Sequence, residues 1–290
     1  MMTQGAAKTG AGPTATVAVE QQFPASQRIL EDHLAYRILP LNMRVFVWWT
    51  RWNPVRNWVV RSMEQSAPGI WSGVLCRKRF IDDKIVEEID KFRAVVNLGA
   101  GYDTRLFRLP PVADMPAWEV DLPSNLHTKR NRLRRIAAHL PARINWVPVD
   151  FEQEALPPAL LSAGCPLHHP VFFIWEAVTQ YLRESAVTAT MDFLARAPAG
   201  SRLAFTYVRK DFIEGSRRYA QEEVYDRYVL HEQLWSFGLA PERIPDFLHG
   251  YGWRMAEHRG YEELAEQYVV PTGRRLASTA IERIVYAVKR

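Results

Sequence analysis

The chain has 290 residues, 48% of them hydrophobic, enough to fill one large core and too many for a disordered chain. Its formal charge of +5 is too mild for a polybasic nucleic-acid binder. No apolar run is long enough to span a membrane, no charged start and apolar block mark a secretory signal, and Cys76 and Cys165 form no metal or disulfide pattern, so a cytoplasmic setting is expected.

Residues 1–22 are mostly small and read as a flexible tail. Residues 23–93 read as a helical extension. Within it, Arg28–Leu39 has helical apolar spacing, and Ile81, Ile85, Ile89 and Phe92 form a stripe whose start Asp82 and Asp83 would cap. Between His33 and Met63 lie five arginines, four tryptophans (Trp48, Trp49, Trp52 and Trp58) and no acid. Tryptophans packed over a sheet or cleft are the expected reading of that stretch, with a membrane-surface segment as the alternative.

Residues 94–208 change to strand–helix alternation. Ala94–Leu98, Ala117–Asp121, 144–149, Val171–Trp175 and Arg202–Val208 read as strands. Pro148 puts the third near an edge. Ser124–Leu140 and Ala186–Ala195 read as helices between them. The basic cluster Lys129, Arg130, Arg132, Arg134 and Arg135 on the first of these helices reads as a solvated face. Residues 209–250 form an aromatic-rich insertion, expected to act as a lid. Residues 251–290 carry the last two strands, at 253–257 and 284–288. The sum is an α/β fold: a mostly parallel seven-stranded sheet with helices on both faces.

The first strand runs into Gly99-Ala100-Gly101, where a sharp turn lets a ligand approach the backbone. Asp121 lies twenty residues beyond Gly101, at the end of the second strand, the spacing of a carboxylate that accepts from ribose hydroxyls. Glu119 shares its face but sits further from the carboxyl edge. Asp150 and Glu176 end the third and fourth strands. Asp150 suits an exocyclic adenine amine and Glu176 a cationic amino group. Such a set describes a nucleoside carrying an amino acid better than a dinucleotide, because Thr104 replaces the third glycine and a pyrophosphate would want fewer acids. A nicotinamide-dependent oxidoreductase and a cofactor-binding protein without catalysis are the alternatives.

The chain resembles the leucine carboxyl methyltransferase family of S-adenosylmethionine-dependent enzymes, in its bacterial branch. The resemblance rests on 77–83 (RKRFIDD), 97–105 (NLGAGYDTR), 119–123 (EVDLP), 147–150 (VPVD) and 175–182 (WEAVTQYL). It implies a Rossmann-like methyltransferase with a helical N-terminal extension and an inserted lid. It also implies that Arg77 pairs with the cofactor carboxylate, Gly99 lies against the methionine part, Asp121 binds ribose, Asp150 and Phe151 hold adenine, and Glu176 meets the methionine end, with Gly101 leaving room for the cofactor. Arg79, two residues from Arg77, offers the same chemistry. Tyr181 either positions the acceptor or packs. The family more often has glycine or cysteine where Ala177 stands. The expected reaction is O-methylation of a small metabolite's carboxylate or hydroxyl, with no metal. A carboxylate is ionised already and needs no base, and no His–Asp pair suggests one.

Overall fold

The computed structural model describes residues 10–137, 139–153 and 156–290. Most of the expected tail is structured. Helix α1 (Ala11–Glu20) buries Val17, Ala18, Val19 and Glu20, and residues 1–9 lie outside the described residues. Small side chains hid this helix from periodicity, because a helix that packs through Gly, Ala and Thr shows no large apolar stripe. Glu20 anchors it: its carboxylate accepts from the Ile29 amide at 2.9 Å and from Arg274 at 2.6 Å.

The expected helix over Arg28–Leu39 shrinks to the turn α2 (Ala35–Ile38). The Asp32 carboxylate accepts from the Leu34 and Ala35 amides, both at 3.0 Å, which favours a turn over continued helix. Helices α3 (Leu41–Trp49) and α4 (Asn53–Ser66) follow. Their tryptophans do not cover the sheet: Trp48, Trp49, Trp52 and Trp58 are all exposed, so the packed reading fails. Helix α5 (Ile70–Glu87) begins at Gly69, whose φ is 77°. Asp82 therefore lies inside the helix rather than capping it, and pairs with Arg108 at 2.6 Å.

Strands β1 (Ala94–Leu98), β2 (Ala117–Asp121), β3 (Ile144–Pro148), β4 (Val171–Trp175), β5 (Arg202–Val208), β6 (Trp253–Gly260) and β7 (Glu282–Lys289) form one sheet in the order β3-β2-β1-β4-β5-β7-β6. The first five are parallel. The last two are antiparallel to their neighbours. Pro148 lies on the edge strand, where its missing N–H is tolerated. Alternation divides the core. Phe172 and Ile174 of β4 join α1 and α5 on one face, while Val171, Phe173 and Trp175 pack on the other. Short helix α6 (Arg105–Arg108) follows β1, and α7 (Pro123–Ile136) follows β2, ending four residues before the expected Leu140. Helices α8 (Leu156–Ser162) and α9 (Glu184–Leu194) flank β4. After β5, α10 (Lys210–Ile213), α11 (Glu222–Tyr225), a π-helical turn at Asp226–His231 and α12 (Ile244–Gly250) make up the insertion. Helix α13 (Tyr261–Tyr268) lies between β6 and β7 and packs on α5. No helix among the described residues is long and apolar enough to cross a membrane.

Candidate functional site

Because β1 to β4 are parallel and adjacent, their carboxyl ends share one edge of the sheet. Gly99 and Gly101 follow β1, Asp121 ends β2, Asp150 lies two residues beyond β3, and Glu176 follows β4. The turn needs both glycines. Gly99 and Gly101 have φ of 74° and 43°, and a Cβ on Gly99 would lie 2.2 Å from Val178 Cγ2. A Cβ on Gly101 would meet nothing closer than the Gly99 carbonyl at 4.0 Å, so open space faces the turn there.

A cavity of about 600 Å³ opens from this turn. Arg77, Gly99, Gly101, Glu176 and Tyr181 line it, together with Lys78, Asn97 and Asp103. Asp121, Asp150 and Phe151 lie on the same sheet edge but outside its lining. The Asp121 carboxylate grips the turn itself: it accepts from the Gly101 amide at 2.6 Å, the Leu122 amide at 2.6 Å and Asn125 at 2.8 Å. Burial raises this carboxyl above its ordinary range, against the pull of those donors. Asp150 holds its own loop, accepting from the Glu152 amide and the Gln153 side chain, both at 3.0 Å. Phe151 is half-buried against the apolar layer behind β4.

The charged end of the cavity is a buried network. Glu176 pairs with Arg77 at 2.9 Å, Arg105 at 3.1 Å and Lys78 at 3.2 Å. Burial alone would raise its carboxyl, but Lys78, Arg105 and Arg77 outweigh it and hold it down at about 2. Arg77 also reaches Glu282 at 2.8 Å, and Arg105 pairs with Asp103. Arg79 faces elsewhere, toward Asp83 at 2.8 Å and the Tyr268 ring. Two residues along a helix is a rotation of about 200°, which separates Arg77 from Arg79. Lys78, Asp103 and Arg105 were not picked out singly from the sequence. Their signal was position, directly beside Arg77 and directly after the glycine turn.

Four cavity-lining residues carry a buried polar atom without a partner: Asn97 Nδ2, Gln180 Oε1, Trp235 Nε1 and Glu282 Oε1. Such atoms are costly unless a ligand satisfies them. With the charged network beside them, the Asn97 and Glu282 atoms fit the zwitterionic end of an amino-acid-bearing nucleoside, while Trp235 Nε1 is an unpaired donor on the opposite wall. The far wall is apolar and aromatic. Phe46, Val59 and Met63 come from α3 and α4, and Tyr228 and Trp235 come from the insertion, their rings stacked at 4.9 Å. Tyr181 meets Trp235 edge-on at 6.3 Å. The start of α1 completes the enclosure, with Gly10, Gly12 and Thr14 among the lining residues.

This sheet order, with its antiparallel last pair, is the class I methyltransferase fold. A solved structure of a candidate methyltransferase from Thermobifida fusca YX superposes with a TM-score of 0.53 at 11% identity, covering 81% of this chain and 88% of that one. A DUF574 family protein from Streptomyces avermitilis gives 0.55 at 15% identity, covering 82% and 91%. More narrowly, the chain belongs to the leucine carboxyl methyltransferase family, whose model matches residues 11–195. A relative from Mycolicibacterium gilvum, named as a candidate S-adenosyl-L-methionine-dependent methyltransferase, is 32% identical over 201 residues. That alignment covers 67% of this chain and 65% of the relative, so the chain matches just under two thirds of that protein's length. Family membership sets the oxidoreductase alternative aside.

Proposed function

We propose that the protein is an S-adenosylmethionine-dependent O-methyltransferase acting in the cytoplasm on the carboxylate or hydroxyl of a small, largely apolar metabolite. The observation that carries this reading is the two-sided cavity: a charged, partly unsatisfied polar end at the glycine turn facing an aromatic wall. The cofactor, when bound, supplies an electrophilic methyl group on a sulfonium. Arg77 and Lys78 would hold its carboxylate, Glu176 its ammonium end, Asp121 the ribose hydroxyls, and Asp150 with Phe151 the adenine. Gly99 and Gly101 let the ligand meet the backbone.

In-line displacement requires the acceptor oxygen about 3 Å from the methyl, aligned and freed of water. Tyr181, Tyr228 and Trp235 would orient the acceptor, and the insertion at 209–250 would act as the lid. The described residues lining the cavity include no histidine. A carboxylate acceptor suits such a wall because it needs no base.

Calorimetry with S-adenosylhomocysteine and turnover of a panel of apolar carboxylic acids and phenols, with mass detection of the ester or ether, test the reading. Tight cofactor binding and methyl transfer to a panel member are expected. Absence of cofactor binding by the folded protein refutes it. Asp121→Asn should weaken binding by about 1–3 kcal/mol, the scale of hydrogen bonds lost from a charged group.

A further inference from the structure

Among the described residues, helices α3 and α4 leave an apolar face without a partner. Leu41, Val45, Phe46, Trp48, Trp49, Trp52 and Trp58 are all exposed, Trp58 by 66% and Leu41 by 74%. A connected aromatic face of this kind marks an interaction site rather than ordinary surface. Three of the tryptophans form a chain of edge-on rings, with Trp48–Trp49 at 5.3 Å and Trp49–Trp52 at 5.2 Å. Arg51 and Arg61 stand exposed beside them, and neither has an ion pair among the described residues. No acidic residue occurs from His33 to Met63. The stretch that carries the face is therefore apolar, indole-rich and cationic; the next acid, Glu64, one turn past Arg61 in α4, is half-buried and accepts from the Ala277 amide at 2.9 Å.

We propose that this face docks on an anionic lipid bilayer. Indoles have an apolar body and a polar N–H and settle at the headgroup level. Arginines beside them gain from the negative surface potential. A second copy of the chain fits poorly, since covering this face with itself would strip water from Arg51 and Arg61 while the stretch from His33 to Met63 offers no acid to pair with them. The face is continuous with the cavity. Phe46, itself 46% exposed, lines the cavity wall together with Val59 and Met63 of α4. Docking thus sets the cavity mouth at the bilayer surface. If the methyltransferase reading holds, the acceptor that enters there is an amphiphile with its reactive oxygen toward the glycine turn.

Sedimentation with phosphatidylcholine vesicles, with and without phosphatidylglycerol, tests the docking on the full chain. The protein should pellet with the anionic vesicles, less so at high salt. Trp52→Ser/Trp58→Ser and Arg51→Gln/Arg61→Gln should each weaken pelleting about tenfold or more. Calorimetry with S-adenosylhomocysteine on the same variants reads the cofactor site apart from the face and should be unchanged from wild type. Failure to pellet with anionic vesicles, or equal pelleting by wild type and both variants, overturns the proposal. So does a stable dimer in light scattering that Trp52→Ser/Trp58→Ser dissociates.

Discussion

Ala177 has a φ of 55°, immediately after Glu176, in a region where a side chain costs about 1–2 kcal/mol. The position is fixed from both sides. The Ala177 amide donates to Thr206 Oγ1 at 2.8 Å, and Glu176 is held by three cations. Ala177→Gly should relieve the strain, less the entropy that glycine restores to the unfolded chain, for a net gain of about 0.5–1 kcal/mol. Ala177→Val should lose about 1–3 kcal/mol, since a branched Cβ fits this region worst. Urea midpoints of the two variants check the order; a gain for valine would overturn it. Lys129 carries a second prediction. It was expected on a solvated face, yet it and Glu119 are fully buried as an ion pair, and Lys129 also donates to the Ala100 carbonyl of the glycine turn at 3.2 Å. Removing one partner of a buried pair costs about 3–5 kcal/mol. Lys129→Met should do so, and Glu119→Leu/Lys129→Met should recover most of the loss in the same urea measurement. The clue was present in the spacing: Leu126, Lys129 and Leu133 fall on one helical face, and the cluster's net charge obscured it.

Strands whose two faces are both covered were the most legible elements. Ala94–Leu98, Ala117–Asp121, Val171–Trp175 and Arg202–Val208 keep their expected bounds, because unbroken apolar runs ending in a turn or an acid have few other fates. β6 and β7 extend beyond their expected ends. In β7 the half-buried Arg283 sits between buried Glu282 and Ile284, and in β6 only the end residues Trp253 and Gly260 are buried, which blurs a boundary read from hydrophobicity. The site divided in the same way. Glycines and acids at strand ends were readable because topology alone brings them together. The roof over them was not, because α1 encloses the cavity through residues too small to signal packing. Its anchor is testable. Glu20→Ala would leave Arg274 without its carboxylate and the Ile29 amide unsatisfied, costing about 3 kcal/mol or more. Hydrogen exchange should rise first in α1. Unchanged protection there would mean that Glu20 does not hold the helix.

At the scale of the whole molecule, buried charges tie the chain's distant parts together at the site. Arg105 joins α6 to Glu176 beyond β4 and to Asp82 in α5, and Arg108 joins Asp82 to Asp32 before α2, reaching the latter at 3.3 Å. Opening any one element exposes the network, so its titration should read as global stability. Glu176 is held at about 2, against an ordinary 4.5, and Asp103 is also held low: burial opposes its ionisation, but Arg105, Lys78 and Lys129 outweigh it. A carboxylate lowered by folding adds stability above its unfolded value and loses it as pH falls toward its folded value. Stability should therefore decline between about pH 4.5 and pH 2, with Glu176 alone accounting for roughly 3 kcal/mol. Glu119 acts in the opposite sense. Burial, opposed by Lys129, lifts it to about 7, so its contribution is complete below its unfolded value and fades as pH rises through neutrality. The acid limb then belongs to the carboxylates held low: Glu176 and Asp103 of the network, with Asp211 of the insertion, lowered against its burial by Arg209 and Tyr219, adding a part that Arg105 does not touch. Arg105→Gln removes one of the three cations on Glu176 and should move that limb to higher pH, beyond the general loss of stability. Thermal unfolding of both proteins from neutral to acid pH resolves the shift, and limbs that coincide after scaling would show that Arg105 does not set the Glu176 charge.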